Sequence, residues 1–564
     1  VTLVCVPILV DDPDAALADA REARNRGADL VEFRVDPFFT GSGDEAGQGE
    51  IDRLVKLVSQ APLPCIVTCR PVLEGGHYGG PEDARIALFE RLGTMAGRPG
   101  EMPPRYLDVE LATYTRSENI KQKVNLAVEH DGQVRAVSTG LILSAHDFHT
   151  RPPDLIRQIE RMFAEPACRV AKIAYRARSL RDNLELLEIL ALAQEHGKPM
   201  IALGMGPYGL MSRVLAPKFN AFLTFAALRR ESATAPGQPV ISELVETYRF
   251  KSIGAGTAVY GVMGDPVERS LSPAVHNAGF EAVGHDGVYL PLPVPAGYEH
   301  FKATLLAMID HAHLDLRGVS VTIPHKENLV RLALEQIDAG DDAWSLDDLA
   351  RASGAANTLV IDRDPKGRAA RLRVLNTDGR AALGAIQAAR PSVRKLLVLG
   401  AGGTARAVAA AAMIDGLEVA FLNRTPDKAR ALADELAGNL HRPVPRVFGP
   451  GEDLAAAGVD AVINCTPLGM AGGPAPGESP LNAGEFASLV AAGGPVLAAD
   501  CVYRPIQTPF LTAARAAGME CVDGLAMFVR QAAEQFEAWT LRPAPRQLFD
   551  RVTRESLVGD RPGA

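Results

Sequence analysis

The sequence predicts an α/β chain: an N-terminal (β/α)8 barrel, then a two-part α/β block whose second part is Rossmann-like. Three observations carry this. Eight short apolar runs alternate with helical patterns over about the first 240 residues, as the barrel requires. A new series of apolar strands opens at Ala258. The stretch from Lys395 to Thr425 reads as strand, glycine turn, alanine-rich helix and strand.

The totals bound the answer. The chain has 564 residues, 47% hydrophobic and 23% charged, room for about three to four domains that each bury a core. A net charge of −9 argues against nucleic acid or an acidic membrane as the main partner. No run of 18 apolar residues occurs, so no transmembrane helix is expected. The opening TLVCVPILV followed by acids reads as a strand rather than a signal peptide. Seven cysteines, none in a C-x-x-C pair, read as free thiols of a reducing cytoplasm.

The barrel strands are expected at 3–9, 30–35, 65–69, 106–111, 141–144, 170–174, 200–203 and 222–228. Amphipathic stretches such as 154–163 and 180–195 lie between them. In such barrels, polar residues at the C-terminal strand ends read as active site. Here those ends carry Glu32, Arg34 and Asp36, then Arg70 and Glu74, then Asp108 and Glu110. Strand five leads into His146-Asp147-Phe148-His149, strand six carries Lys172, and Arg213 follows strand seven. A lysine in an apolar barrel strand is costly unless deprotonated or paired. Burial favours the neutral amine, a nucleophile for carbonyls. The other reading of Lys172 is an ion pair with Glu32 or Asp108 that serves only the barrel. His146 could move protons, and His149 reads as an exposed loop residue.

The segments E-F-R-V-D, T-C-R-P-x-x-E-G-G, S-A-H-D-F-H, V-A-K-I-A and A-P-G-Q together resemble type I 3-dehydroquinate dehydratase. They stand in family order over residues 1–248. The resemblance implies that Lys172 forms a Schiff base with the substrate ketone. It implies that His146 shuttles the proton as water is lost from 3-dehydroquinate to give 3-dehydroshikimate. Glu32, Arg34, Arg70, Glu74, Arg213, Thr234 and Gln238 are then substrate-binding positions, with arginine the natural partner of a carboxylate. Thr234 stands where the family often has serine, and keeps the hydroxyl.

The junction is expected within residues 246–257, which hold Gly254 and Gly256. After the strand at 258–263, Ser270 and Ser272 lie in a turn before a helix, and their hydroxyls suit a carboxylate. Ser272 also fits as N-cap, with Pro273 at the first helical position. The strand V-S-V-T-I-P-H-K ends in Lys326, and N-T-D-G places Asp378 just before the glycine-turn domain. Together the two suit a proton-relay pair; each alone reads as a surface charge. His325 reads as packing or surface.

In the glycine turn, Gly400, Ala401, Gly402, Gly403, Thr404 and Ala405 open a helix whose N-terminus favours a pyrophosphate. The second strand ends in Asn423, Arg424 and Thr425 rather than in the carboxylate of an NAD site. A guanidinium and a hydroxyl suit a 2′-phosphate, so the expected cofactor is NADP (NADPH). No metal is expected.

Residues 258–540 are similar to shikimate dehydrogenase. The resemblance implies that Lys326 and Asp378 are the catalytic pair. It also implies that Ser270, Ser272, Thr322, Asn357, Tyr503 and Gln531 hold the substrate, and that Asn464 to Met470 is a cofactor-side loop contributing Thr466 and Met470. Two positions depart from the common pattern: Ser320, where many bacterial members have Asn, and Leu271, which is often Lys. The expected parts are residues 1–248, 258–380 with a returning helix 523–541, and 381–522, with a frayed tail after Leu541. Fusion of the two families implies 3-dehydroquinate, 3-dehydroshikimate and shikimate as small-molecule substrates. The alternatives are a quinate-preferring dehydrogenase, a non-catalytic sensor of the same fold, and a Schiff-base aldolase in the barrel.

Overall fold

The computed structural model describes residues 1–39, 48–95, 101–130, 132–133, 138–491 and 496–559. The chain divides into two compact units, Val1–Thr257 and Ala258–Ala564.

The first unit is built on eight parallel strands. They are β1 (Leu3–Leu9), β2 (Leu30–Arg34), β3 (Cys65–Thr68), β4 (Tyr106–Glu110), β5 (Gly140–Asp147), β6 (Cys168–Arg176), β7 (Met200–Met205) and β8 (Leu223–Phe225). From β1 to β7 each pairs with the next, β8 pairs with β1, and between β7 and β8 the Phe222 N–H donates to the Met200 carbonyl at 2.8 Å. Strands β5 and β6 run further than expected because they stay in register through Asp147 and Tyr175. His146 therefore lies on a strand, opposite Ala174, rather than in the following loop.

Strand periodicity explains how the site arises. An apolar layer of Leu30, Ile66, Tyr106, Ile142, Val170, Ile201 and Leu223 fills the barrel interior. Side chains two residues further along share the same face. That step gives Glu32, Thr68, Asp108, Ser144, Lys172, Leu203 and Phe225. One more step reaches Arg34, Arg70, His146 and Met205. The dry core thus changes, within two residues along five of these strands, into a polar and charged layer.

The second unit holds two six-stranded sheets. The first comprises β9 (Ala258–Gly264), β10 (Gly287–Pro293), β11 (Leu316–Val321), β12 (Trp344–Leu346), β13 (Thr358–Arg363) and β14 (Ala369–Leu375), in the mixed order β10-β9-β11-β13-β14-β12. The second comprises β15 (Lys395–Leu399), β16 (Glu418–Leu422), β17 (Arg446–Phe448), β18 (Ala461–Asn464), β19 (Leu497–Asp500) and β20 (Glu520–Val522). It is all-parallel in the doubly wound order β17-β16-β15-β18-β19-β20. The glycine turn follows β15, at the point where strand order reverses, which is where such sheets bind ligands.

Helix Gly524–Thr540 returns to the first of these sheets. Gln535 donates to the Asn357 carbonyl at 3.1 Å and to Thr358 at 2.9 Å, and the Trp539 indole donates to the Leu359 carbonyl at 3.0 Å. The expected fraying beyond Leu541 does not occur among the described residues. Arg546–Gly559 is a helix, and Phe549 and Thr553 on it are fully buried. Phe549 packs edge-on to His276 and to Phe536. The prolines and arginines of this segment mask one apolar stripe that has a partner. His276 stacks on Tyr289 at 4.5 Å, and neither ring nitrogen has a hydrogen bond among the described residues. Burial pushes its pKa down to about 3, so it stays neutral and acts as an aromatic core residue. Ser272 is not the N-cap that was expected. Its helix, Ser272–Ala282, begins on it, and the Ser270 hydroxyl accepts the Ser272 N–H at 3.3 Å.

Both tryptophans, Trp344 and Trp539, lie in the second unit. Their fluorescence during urea unfolding therefore reports that unit alone. Phe549→Ala should destabilise it by ~3–5 kcal/mol, as for other buried aromatic truncations; an unchanged midpoint would show that the tail helix contributes nothing.

Candidate functional site

All nine site residues expected in the barrel line one cavity: Glu32, Arg34, Arg70, Glu74, His146, Lys172, Arg213, Thr234 and Gln238. Its floor is the charged layer. Lys172 Nζ donates to Asp108 Oδ2 at 2.7 Å, lies 3.6 Å from Glu32 and sits 4.6 Å from the centre of the Phe225 ring. The buried lysine is therefore met by a carboxylate. Thr68 donates to Glu32 at 2.7 Å and Ser144 to Asp108 at 2.6 Å, which fixes both acids.

The arginines differ in what holds them. Arg34 makes a two-pronged contact with Asp36, both distances 2.9 Å. Arg70 donates to Asp108 at 2.9 Å and to Glu110 at 2.7 Å, and the buried Arg85 closes on the other oxygen of Glu110 at 2.6 Å. Burial would raise the Asp108 pKa, but Arg70 and Lys172 outweigh it and hold the carboxyl well below the usual range. Arg213 is buried, and it has no counter-charge among the described residues; desolvation lowers its pKa to about 10. Its Nε and the Nε2 of Gln238 are buried without hydrogen-bond partners. The cavity is therefore short of an acceptor-rich anion at Arg213.

His146 Nδ1 lies 3.1 Å from Glu74 Oε2. Burial, then the charges of Arg70 and Lys172, push the imidazole well below its ordinary pKa, so it is neutral near pH 7. Burial raises Glu74 to about 7, with Arg70 pulling the other way. His149 is exposed, as expected. Sequence reasoning named Asp108 at a strand end and as a possible partner of Lys172 but gave it no role toward substrate, and it did not name Phe148 or Phe225 as site residues. For Asp108 the available signal was its position two residues after the inward-facing Tyr106.

In the second unit, Lys326 and Asp378 come together: Nζ donates to Oδ2 at 2.6 Å. Each is the first residue of a helix, Lys326–Asp338 and Asp378–Ala389. Gly379 brings the latter helix against the glycine-turn helix Gly403–Ile414; a Cβ there would collide with the Ala407 carbonyl. His325 is buried, stacked on Phe301. Of the other expected substrate residues, Ser270 and Ser272 lie at the start of their helix, Thr322 follows β11, and Gln531 is half-buried on the returning helix. Asn357 is buried and bonded to Thr377, and the Tyr503 ring packs at a tilt on Phe528, centroids 4.7 Å apart. The Ser320 hydroxyl is committed, accepting from Tyr289 and donating to Gln535.

The glycine turn suits a dinucleotide. Gly400 has φ of +110°, and no atom lies within 4 Å of where a Cβ on Gly402 would stand, which leaves room for a pyrophosphate. The helix has no side-chain cap, so its first amides are unclaimed by one. Ala405 is fully buried. Asn423 donates to the Thr425 carbonyl, and Arg424 and Thr425 are exposed at the end of β16, with no ion pair to Arg424 among the described residues. Thr466 and Met470 lie in the loop after β18; Asn464 pins it by accepting from Thr466 at 2.7 Å and donating to Asp500 at 3.0 Å.

Residues 4–255 match the family described as type I 3-dehydroquinase. Residues 262–359 match the shikimate dehydrogenase substrate binding domain, and 524–552 the shikimate 5'-dehydrogenase C-terminal domain. A bifunctional 3-dehydroquinate dehydratase/shikimate dehydrogenase, chloroplastic, of Arabidopsis thaliana is 33% identical over 572 residues, covering 98% of this chain and 84% of that protein. The chain belongs to the bifunctional 3-dehydroquinate dehydratase/shikimate dehydrogenase family. A shikimate dehydrogenase (NADP(+)) of Methanocella arvoryzae is 38% identical over 309 residues, 53% of this chain and 99% of its own length. Among solved structures, the dehydroquinate dehydratase and shikimate dehydrogenase of S. pombe covers 98% of each chain at 25% identity, with a TM-score of 0.40.

In the dehydratase half, the protonation of Glu74 sets which nitrogen of the neutral His146 carries hydrogen. With Glu74 ionised, it accepts Nδ1–H and leaves Nε2 as a free base; with Glu74 protonated, the imidazole lone pair at Nδ1 is used. Ionisation is gained as pH rises, so dehydration kcat/KM should rise with pH through about 7 as Glu74 titrates. Glu74→Gln should erase that limb from the profile of enone absorbance against pH. A limb that survives unchanged in the variant would remove Glu74 from the proton balance.

Proposed function

We propose that Lys172 is the Schiff-base lysine of the dehydratase half and His146 its general acid/base. The observation that supports this best is the cavity itself: a paired but reachable amine, a neutral imidazole and one buried guanidinium lacking an anion. The carboxylate of 3-dehydroquinate is the partner we assign to Arg213, with Gln238 donating to a substrate hydroxyl. Docking that carboxylate orients the ketone toward Lys172. The amine must first give up a proton, which Asp108 and Glu32 are placed to take or hold. Attack on the ketone carbon and loss of water give an iminium. His146 then removes the proton from the adjacent carbon, the electron pair moves into an enamine, and the enamine expels hydroxide as His146 returns the proton. Hydrolysis releases 3-dehydroshikimate and the amine. An iminium is a better electron sink than a ketone, which is why the adjacent proton becomes removable near neutral pH.

In the dehydrogenase half we assign the acid to Lys326, held by Asp378. Reduction of the 3-dehydroshikimate ketone to shikimate leaves a developing alkoxide, and Lys326 offers it both a positive charge and a proton. Three helix N-termini, at Lys326, Asp378 and Gly403, converge on this point and favour negative charge there. NADPH supplies the hydride when bound. The glycine turn from Gly400 to Ala405 holds its pyrophosphate, Asn423, Arg424 and Thr425 its ribose 2′-phosphate, and Thr466 and Met470 flank it. Ser270, Ser272, Thr322, Asn357, Tyr503 and Gln531 hold the shikimate carboxylate and hydroxyls in this reading. The two separate sheets support a substrate part of 258–380 with helix 523–541 and a cofactor part of 381–522. No helix among the described residues is long and apolar enough to cross a membrane. Seven free thiols support a reducing compartment such as the cytoplasm.

The two halves lie in different compact units, so their losses should separate. Lys172→Ala should abolish dehydration and leave shikimate oxidation by NADP+ near the wild-type rate. Borohydride with 3-dehydroquinate should inactivate the wild type and leave a reduced adduct on Lys172 in a peptide map. An adduct on another residue, or dehydration retained in the variant, contradicts the assignment.

A further inference from the structure

Lys326 makes a second hydrogen bond besides the one to Asp378: its Nζ donates to the Thr404 Oγ1 at 3.0 Å. Thr404 belongs to the glycine turn, where the dinucleotide chemistry is carried by backbone amides and by the absence of side chains. A side-chain hydroxyl at this place is not needed by that chemistry. The lysine also packs on the turn: a Cβ on Gly403 would stand 3.3 Å from the Lys326 Cβ. Thr404 is the second residue of its helix, and Lys326 and Asp378 are each the first of theirs. The hydroxyl therefore comes from the cofactor side and the carboxylate from the other.

An ammonium has three N–H donors. Asp378 takes one and Thr404 a second, which leaves a single N–H with a fixed direction. With only Asp378 present, the end of a flexible four-carbon stem could rotate about that one contact. A proton donor must be held within a fraction of an ångström of its productive place to work at full rate. We infer that Thr404 is a positioning residue for hydride transfer: its hydroxyl fixes the Lys326 ammonium from the dinucleotide turn, so that the remaining N–H is aimed at the ketone oxygen. The inference rests on the reading of Lys326 as the acid.

The test uses the full chain with NADPH bound at saturation, mixed rapidly with 3-dehydroshikimate, and reads the single-turnover loss of NADPH absorbance. Thr404→Val keeps the shape and removes the hydroxyl; Thr404→Ser restores the hydroxyl. Val should slow the step about ten-fold, the low end for losing a hydrogen bond to a charged group. Ser should stay within about two-fold of wild type, and both should bind NADPH within about two-fold of it, since neither changes the backbone donors. NADPH binding also verifies that each variant is folded. A Val variant as fast as wild type at saturation overturns the inference, and a weaker NADPH affinity alongside it assigns Thr404 to cofactor binding only. A Ser variant as slow as Val overturns it too. Lys326→Ala is run beside them. If it keeps the wild-type rate, the reading of Lys326 as the acid falls as well; if it is slow while Thr404→Val is fast, only the role of Thr404 falls.

Discussion

Charges buried at the mouth of the barrel are costly unless paired, and the N-terminal half is organised around that cost. Lys172 is met by Asp108 and Glu32, Arg34 by Asp36, and Arg70 by Asp108 and Glu110, with Arg85 closing the far side of Glu110. Each pairing fixes a side chain that the chemistry uses. The network is complete except at Arg213, which no protein anion reaches among the described residues. On the reading proposed above, the carboxylate of the substrate completes that network. The same burial keeps His146 neutral and lifts Glu74 toward neutrality, so the charges that bind also set the proton inventory.

The second unit meets the opposite demand. There the reaction creates a negative charge on an oxygen, and the fold supplies positive ends. Helices beginning at Lys326, Asp378 and Gly403 point their N-termini at one place, and Gly379 removes the side chain that would keep two of them apart. The doubly wound sheet puts the glycine turn at its switch point, and the returning helix Gly524–Thr540 ties the first sheet together through Gln535 and Trp539.

Much of this could be read along single strands. Polar residues at the C-terminal strand ends marked the mouth of the barrel, and the lysine within β6, Arg34 ending β2 and Arg70 just after β3 were visible along the sequence. What spacing could not supply was the partner of each charge. Arg34 and Arg70 read as ligands for a substrate carboxylate, yet Asp36, Asp108 and Glu110 already hold them, because neighbouring strands and loops bring those acids alongside. Asp108 was read only as a possible partner of Lys172; its further bonds come from Arg70 after β3 and Ser144 on β5. The tail helix was hidden by Pro543, Pro545 and several arginines, although Phe549 and Thr553, four apart, form its buried stripe. Thr404 read as one more member of a glycine motif, since nothing local shows that Lys326 reaches it.

On the proposed reading, the substrate carboxylate is the counter-charge that the buried Arg213 lacks. That reading is tested most directly by the steady-state dehydration of 3-dehydroquinate by Arg213→Ala, with and without added guanidinium ion. The account predicts a fall in kcat/KM of about a hundred-fold or more, the scale of an unpaired buried charge, carried mainly by KM and partly restored by guanidinium. A variant that keeps the wild-type kcat/KM would contradict it, because the substrate carboxylate would then be held elsewhere.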